Sequence, residues 1–182
     1  MNNDLKIKID NTEMNNLVFH TPIFDLKLDN NTNIVKLHAP NWVNIAVYNQ
    51  STHKWIMSRE TRHGIGKEVI EFMSGTVEEG ETAKEAAFRE LQEEFGYGIN
   101  NLVSIKKLYE ENVNPAFMDN KITGFYIIVE GLPGEQNLDE GEDVAAHAHE
   151  RIQFKNQGLI SMHTLYALDQ NNIDFRYQFL DD

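Results

Sequence analysis

At 182 residues the chain has the length of one domain with a small appendage, and 41% hydrophobic with 25% charged residues is an ordinary soluble composition with a core to bury. A formal net charge of −13 repels phosphate backbones and argues against a general nucleic-acid binder, while leaving room for a small polyanion neutralised locally by divalent metal. The lack of cysteine excludes disulfides and thiolate metal sites and fits a reducing cytoplasm; the N-terminus has no signal-peptide pattern, and no apolar run nears the ~20 residues of a membrane span.

In chain order, "LKIKI" and "IFDLKL" alternate as strands do, and "DNNTN" between "LKL" and "IVKL" reads as a hairpin turn. Residues 1–42 are therefore taken as an N-terminal β-extension, with residues 43–182 as the main domain. "WVNIAVYN" and "KWIMSRE" predict two strands joined by "NQSTH"; "HGIGK" is a loop, and "VIEFM" a short strand running into Ser74 and Gly75. The period then changes. Ala87, Phe88, Leu91 and Phe95 form an apolar stripe at helical spacing, with Thr82 and Glu85 as a capping box and Gly96 as the stop. "LVSIKKLYE" and "ITGFYIIVEG" predict further strands separated by "ENVNPAFMDN", and "LPGEQNLDEGED" is an acidic loop. A second helix is expected over "SMHTLYALDQ", capped by Ser161. The sum is a mixed α/β sandwich.

The first helix carries the chemistry. A residue advances about 100° along a helix, so Glu90 and Glu94 lie ~40° apart on one face with Glu93 beside them. Such carboxylates repel unless a positive charge stands among them. Arg89 reaches Glu85 and Glu93 at four-residue spacing and offsets part of that charge. The rest suits a hard divalent cation, since Mg²⁺ takes oxygen ligands and binds through a few carboxylates plus substrate phosphates. Gly75 is read as permitting a tight turn that aims the Ser74 carbonyl at the cation, and Gly80 as folding the loop back to bring Glu81 in. The two histidines of "HAH", His147 and His149, are read as structural or exposed rather than as ligands.

The order Gly75, five residues, Glu81, seven residues, Arg89-Glu90-Leu91, one residue, Glu93-Glu94, one residue, Gly96 resembles the box of the Nudix hydrolases, with Tyr97 where that family has a bulky aliphatic. "EFMSGTVEEGE" is similar to the corresponding segment of the ADP-ribose and nucleotide-sugar pyrophosphatases. There Met73 replaces a proline and Ser74 an alanine, while Glu71 matches an acidic position. "SRETRHG", "NPAFMDN" and "DEGEDV" resemble that group's paired basic positions, substrate loop and late acidic loop.

This resemblance implies a Nudix α/β/α sandwich with a mixed sheet and the N-terminal β-extension. It implies hydrolysis of the diphosphate bond of ADP-ribose or a related nucleoside diphosphate sugar. Glu90 and Glu94 would ligate Mg²⁺, or alternatively Mn²⁺, with the Ser74 carbonyl as third ligand; Glu81 and Glu93 would bind further metal directly or through water. Glu140 or Glu142 would accept the proton of the attacking water, and Arg89 would hold the carboxylate array. Arg59 and Arg62 would pair with substrate phosphate, Glu71 belongs to the same substrate set, and Phe117 would line the nucleotide pocket. The partner is a small nucleoside diphosphate, neither membrane nor nucleic acid, and the assembly a homodimer with residues 1–42 crossing to the second copy. The alternatives are hydrolysis of nucleoside triphosphates, dinucleoside polyphosphates or RNA 5′ ends, or a non-catalytic nucleotide-sugar sensor.

Overall fold

The computed structural model describes residues 17–21, 24–29, 34–138 and 143–181. The strand expected over "LKIKI" and the turn expected after Asp29 lie outside them. Strands β1 (Leu17–His20), β2 (Asp25–Asp29) and β3 (Ile34–His38) form an antiparallel sheet of their own, the expected N-terminal extension. It joins the rest through residues 114–120: Leu37 N–H donates to the Phe117 carbonyl at 2.8 Å, and the His38 ring meets Asp119 at 2.7 Å.

The main sheet follows. It contains β4 (Trp42–Asn49), β5 (Lys54–Arg62), β6 (Lys67–Glu71), β7 (Met73–Thr76), β8 (Leu102–Asn112), β9 (Lys121–Val129) and β10 (Ala145–His149). Along its main path the order is β10-β5-β4-β9-β8; the β4–β9 pair is parallel and the others antiparallel, so the sheet is mixed. β4 and β5 pair only over Val47–Asn49 and Lys54–Ile56, then fork apart. β6 takes the vacated edge of β5 and β7 that of β4, so one run of chain, broken at Phe72, fills the fork.

Helix α1 (Ala83–Phe95) covers one face and helix α2 (Leu159–Gln170) the other. β4 is buried on both sides: Val43, Ile45 and Val47 pack with Ala87, Leu91 and Phe95 of α1, while Ala46 packs with Leu165 and Leu168 of α2. Each large apolar side chain buried in this way contributes about 1.5–3 kcal/mol. Strands β11 (Ile152–Phe154) and β12 (Tyr177–Phe179) pair in parallel on the α2 side of the sheet, and Phe154 meets Phe72 edge-on at 5.3 Å.

The boundaries of α1 are those the sequence predicts. Thr82 accepts from Glu85 N–H, Glu85 reaches back to the Thr82 N–H at 2.8 Å, and Gly96 closes the helix at φ 70°. The start of α2 differs from expectation. Gly158 is its N-cap and Ser161 lies inside the helix, fully buried, its hydroxyl turned to Glu71 at 3.5 Å instead of to the backbone. A hydroxyl claimed by a distant carboxylate is lost to capping. Replacing Thr82 with Ala should lower stability by about 1 kcal/mol in urea unfolding; an unchanged midpoint would show that the box contributes nothing.

Candidate active site

Four glutamates surround one arginine at the junction of the β7–α1 loop and α1. Arg89 donates through Nε to Glu81 at 3.1 Å and through Nη1 to Glu90 at 2.9 Å and Glu93 at 3.0 Å. Its Nη2 donates to the Thr76 carbonyl at 2.7 Å, and Glu78 stands 3.9 Å away. Burial works against the guanidinium charge, but the Glu81 hydrogen bond and the Glu90 charge outweigh it and raise its pKa further. For Glu81, burial alone would raise the pKa; the Arg89 hydrogen bond and the Glu78 N–H reverse this and hold it below the ordinary 4.5. Glu85, expected beside Arg89, is instead engaged by the Thr82 cap.

Gly75 matters for space rather than for a turn. It lies within β7, opposite Val43, and is not among the left-handed residues; a Cβ built on it would sit 2.1 Å from the Glu90 carboxyl carbon. The bare Cα lets the Glu90 carboxylate lie directly against the strand. Gly80, by contrast, has φ 84° and serves as the turn expected of it. The direction of the Ser74 carbonyl follows from alternation. Val77 N–H donates to the Asn41 carbonyl while the Thr76 carbonyl goes to Arg89, so even-numbered carbonyls of β7 face away from β4. The Ser74 carbonyl therefore faces the same open edge as that of Thr76.

Ser74, Gly75, Arg89, Glu90, Glu93 and Glu94 line one cleft of about 540 Å³, with Arg62 opposite. Glu90 and Glu94 are both buried. Among the described residues no three His, Asp or Glu side chains converge to hold an ion, and Glu81, Glu90 and Glu93 each give an oxygen to Arg89. Along the cleft, the Glu90 and Glu94 carboxylates and the Ser74 backbone carbonyl are hard oxygen donors. That set fits a small divalent cation that takes its other ligands from water and substrate phosphate.

Alternation along β5 separates the two candidate arginines. Arg62 shares the face of Ile56 and enters the cleft, where Glu71 takes its Nε and Nη2 at 2.8 and 2.7 Å and Glu60 its Nη1 at 3.1 Å. Arg59 shares the face of Trp55 and Met57 and pairs with Glu68 at 2.6 Å, away from the carboxylates. Glu71 is buried beneath Arg62 and links it to Ser161 of α2. Phe117 is exposed outside the cleft, its carbonyl holding β3.

Glu140 and Glu142 lie outside the described residues. The preceding loop is tied to the end of α1, with Asn137 N–H on the Glu93 carbonyl at 2.9 Å and the Gln136 amide on that of Glu94. The chain re-emerges with Asp143 and Val144 lining the cleft. Sequence reasoning missed Asp143 and Glu60; Asp143 stood within the acidic loop it had singled out, whereas Glu60 carried no signal beyond lying between the two arginines. A larger hollow of about 950 Å³ beside the N-terminal sheet shares Thr76 and Glu78 with the cleft and also holds Glu81, His38 and Asp119.

The family profile of the NUDIX domain matches residues 38–167. The chain is 37% identical over 67 residues to an ADP compounds hydrolase, NudE, of Escherichia coli (strain K12), covering 37% of this chain and 34% of that protein. It is 33% identical over 92 residues to an ADP-ribose pyrophosphatase of Bacillus subtilis (strain 168), covering 50% and 48%. The matched stretches thus span less than half the length of these relatives. A crystal structure of an ADP compounds hydrolase superposes with a TM-score of 0.57 at 19% identity over 87% of this chain and 93% of that one, a likeness of fold.

Replacing Arg89 with Gln leaves its carboxylates facing one another and should cost ~2 kcal/mol at neutral pH. Glu81 adds stability in full above pH 4.5 and loses it as pH falls through its lowered folded value. The gap in Tm between wild type and Arg89→Gln should therefore narrow in acid. A gap constant from neutral pH to pH 3 would contradict the clamp.

Proposed function

The chain belongs to the NUDIX family, and on that premise we propose that it is a divalent-metal-dependent hydrolase of ADP-ribose or a related nucleoside diphosphate sugar. The products are a nucleoside monophosphate and a sugar phosphate. The observation that carries this reading is the cleft itself, in which buried Glu90 and Glu94, a Ser74 carbonyl on the open edge and Arg62 share one wall-to-wall space.

Glu90, Glu94 and the Ser74 carbonyl would hold Mg²⁺, or Mn²⁺ in its place. The ion's contribution is to neutralise diphosphate oxygens and make water a better nucleophile. The protein's own groups do the rest. Glu71 and Glu60 hold the Arg62 guanidinium, whose other N–H groups would serve a substrate phosphate. Arg89 keeps Glu90 and Glu93 at fixed positions while spending its charge on them, which makes it a brace rather than a phosphate contact. The proton acceptor is assigned to the late acidic loop; Glu140, Glu142 and Asp143 are the candidates, and of these Asp143 lines the cleft.

The space shared with the larger hollow supports a substrate carrying bulk on both sides of its diphosphate. Names borne by the two relatives, one acting on ADP compounds and one on ADP-ribose, support the same class. The net charge of −13 weighs against RNA 5′ ends. Nucleoside triphosphates and dinucleoside polyphosphates stand as the alternative substrates. A purely sensing role fits poorly with a full set of box carboxylates. Exposed Ile34 and Val35 on β3 support the homodimer reading, and no described helix is long and apolar enough to cross a membrane.

Turnover of ADP-ribose, nucleotide sugars and dinucleoside polyphosphates, each with Mg²⁺ and with chelator, tests the proposal. Glu94→Gln should lose metal affinity and slow turnover at least ~100-fold, as removal of one positioned electrostatic element costs roughly 2.7–4 kcal/mol. Near-normal turnover in that variant would sink the ligand assignment. Replacing Glu140, Glu142 and Asp143 singly by the amide should lower kcat in one variant with metal binding intact, and three unchanged values would place the acceptor elsewhere.

A further inference from the structure

A chain of polar groups runs between α2 and the sheet and ends at Ser74 of β7. Asn44, fully buried in β4, donates through Nδ2 to the Met73 carbonyl at 3.2 Å and to Ser74 Oγ at 2.7 Å. Its Oδ1 meets Thr164 Oγ1 of α2, also fully buried, and Thr164 Oγ1 meets the Tyr109 hydroxyl at 2.7 Å.

The direction of every proton is fixed. A carbonyl only accepts, so the Asn44 NH₂ must face Met73 and its oxygen must face Thr164. Thr164 then donates to Asn44, which leaves its oxygen to accept from Tyr109. Tyr109 has no freedom to swing away. Its ring lies on the Cα of Gly124, where a Cβ would come within 2.0 Å of ring carbon Cε1, and the His163 ring packs against it edge-on at 4.5 Å. Burial raises the Tyr109 pKa to about 12, so the hydroxyl stays a donor throughout the working range.

Asn44 sits opposite Ser74 in the β4–β7 register, on the face of the sheet away from Glu90. By holding the carbonyl before Ser74 and the Ser74 hydroxyl, it fixes the rotation of that segment of β7. The next carbonyl, that of Ser74, faces the open edge. We propose that Tyr109, Thr164 and Asn44 are positioning residues that set the Ser74 carbonyl as a cation ligand from the opposite side of the sheet. This rests on the reading of Ser74 as a ligand under the proposed function. An unanchored polar pair in the middle of an otherwise apolar strand and helix face would be costly, whereas a fully satisfied one rigidifies what it touches.

The test is Mn²⁺ binding to the metal-free protein, measured calorimetrically without substrate, with thermal melts to verify folding. Thr164→Val keeps the shape and removes the donor; it should weaken Mn²⁺ binding about three- to tenfold, the effect of one lost hydrogen bond. Tyr109→Phe and Ser74→Ala should move it in the same direction, and Thr164→Ser should restore it. A folded Thr164→Val protein that binds Mn²⁺ as wild type does, while Glu94→Gln does not, overturns the relay alone. Wild-type protein with no Mn²⁺ binding overturns the metal reading and the relay with it.

Discussion

Everything at the cleft depends on one arginine set among carboxylates. Glu78, Glu81, Glu90 and Glu93 all lie within ion-pair distance of Arg89, which in addition holds the Thr76 carbonyl. Without it the loop and the helix would repel. With it, like charges become a frame that couples strand, loop and helix. Glu81, Glu90 and Glu93 each give an oxygen to Arg89, so much of the cluster's negative charge is balanced within the protein itself.

The sheet supplies the second constraint. Forking of β4 from β5 leaves a gap that the β6–β7 run fills from two sides. β7 therefore presents one backbone edge to the helix and not to another strand. An unpaired strand edge is ordinarily a liability. Here Arg89 caps one of its carbonyls, and the next faces the cleft. The same fork brings Arg62 from β5 to the opposite wall, where Glu71 supports it.

What was legible in the sequence was local. The helix limits at Thr82, Glu85 and Gly96 follow from capping chemistry within a few residues, and the spacing of Glu90 and Glu94 follows from helical geometry. What escaped required partners far along the chain. The need for glycine at position 75 comes from Glu90 pressing on its Cα, not from a turn. Ser161 looks like a cap until Glu71, ninety positions away in sequence, claims its hydroxyl. Arg59 and Arg62 read as a pair in one dimension, yet the period of two in a strand sends them to opposite faces. Asn44 gave no signal at all, since a lone asparagine inside an apolar strand looks the same whether it is anchored or not.

The tie between the late loop and α1 has a dynamic consequence. The last carbonyls of a helix are where it unwinds first, and here Asn137 and Gln136 occupy those of Glu93 and Glu94 while Gly134 N–H holds that of Gly96. Release of the loop and fraying of the helix end are therefore one event with one free energy, a single cooperative unit in hydrogen exchange. Order of the loop and order of the helix turn that carries Glu93 and Glu94 rise and fall together.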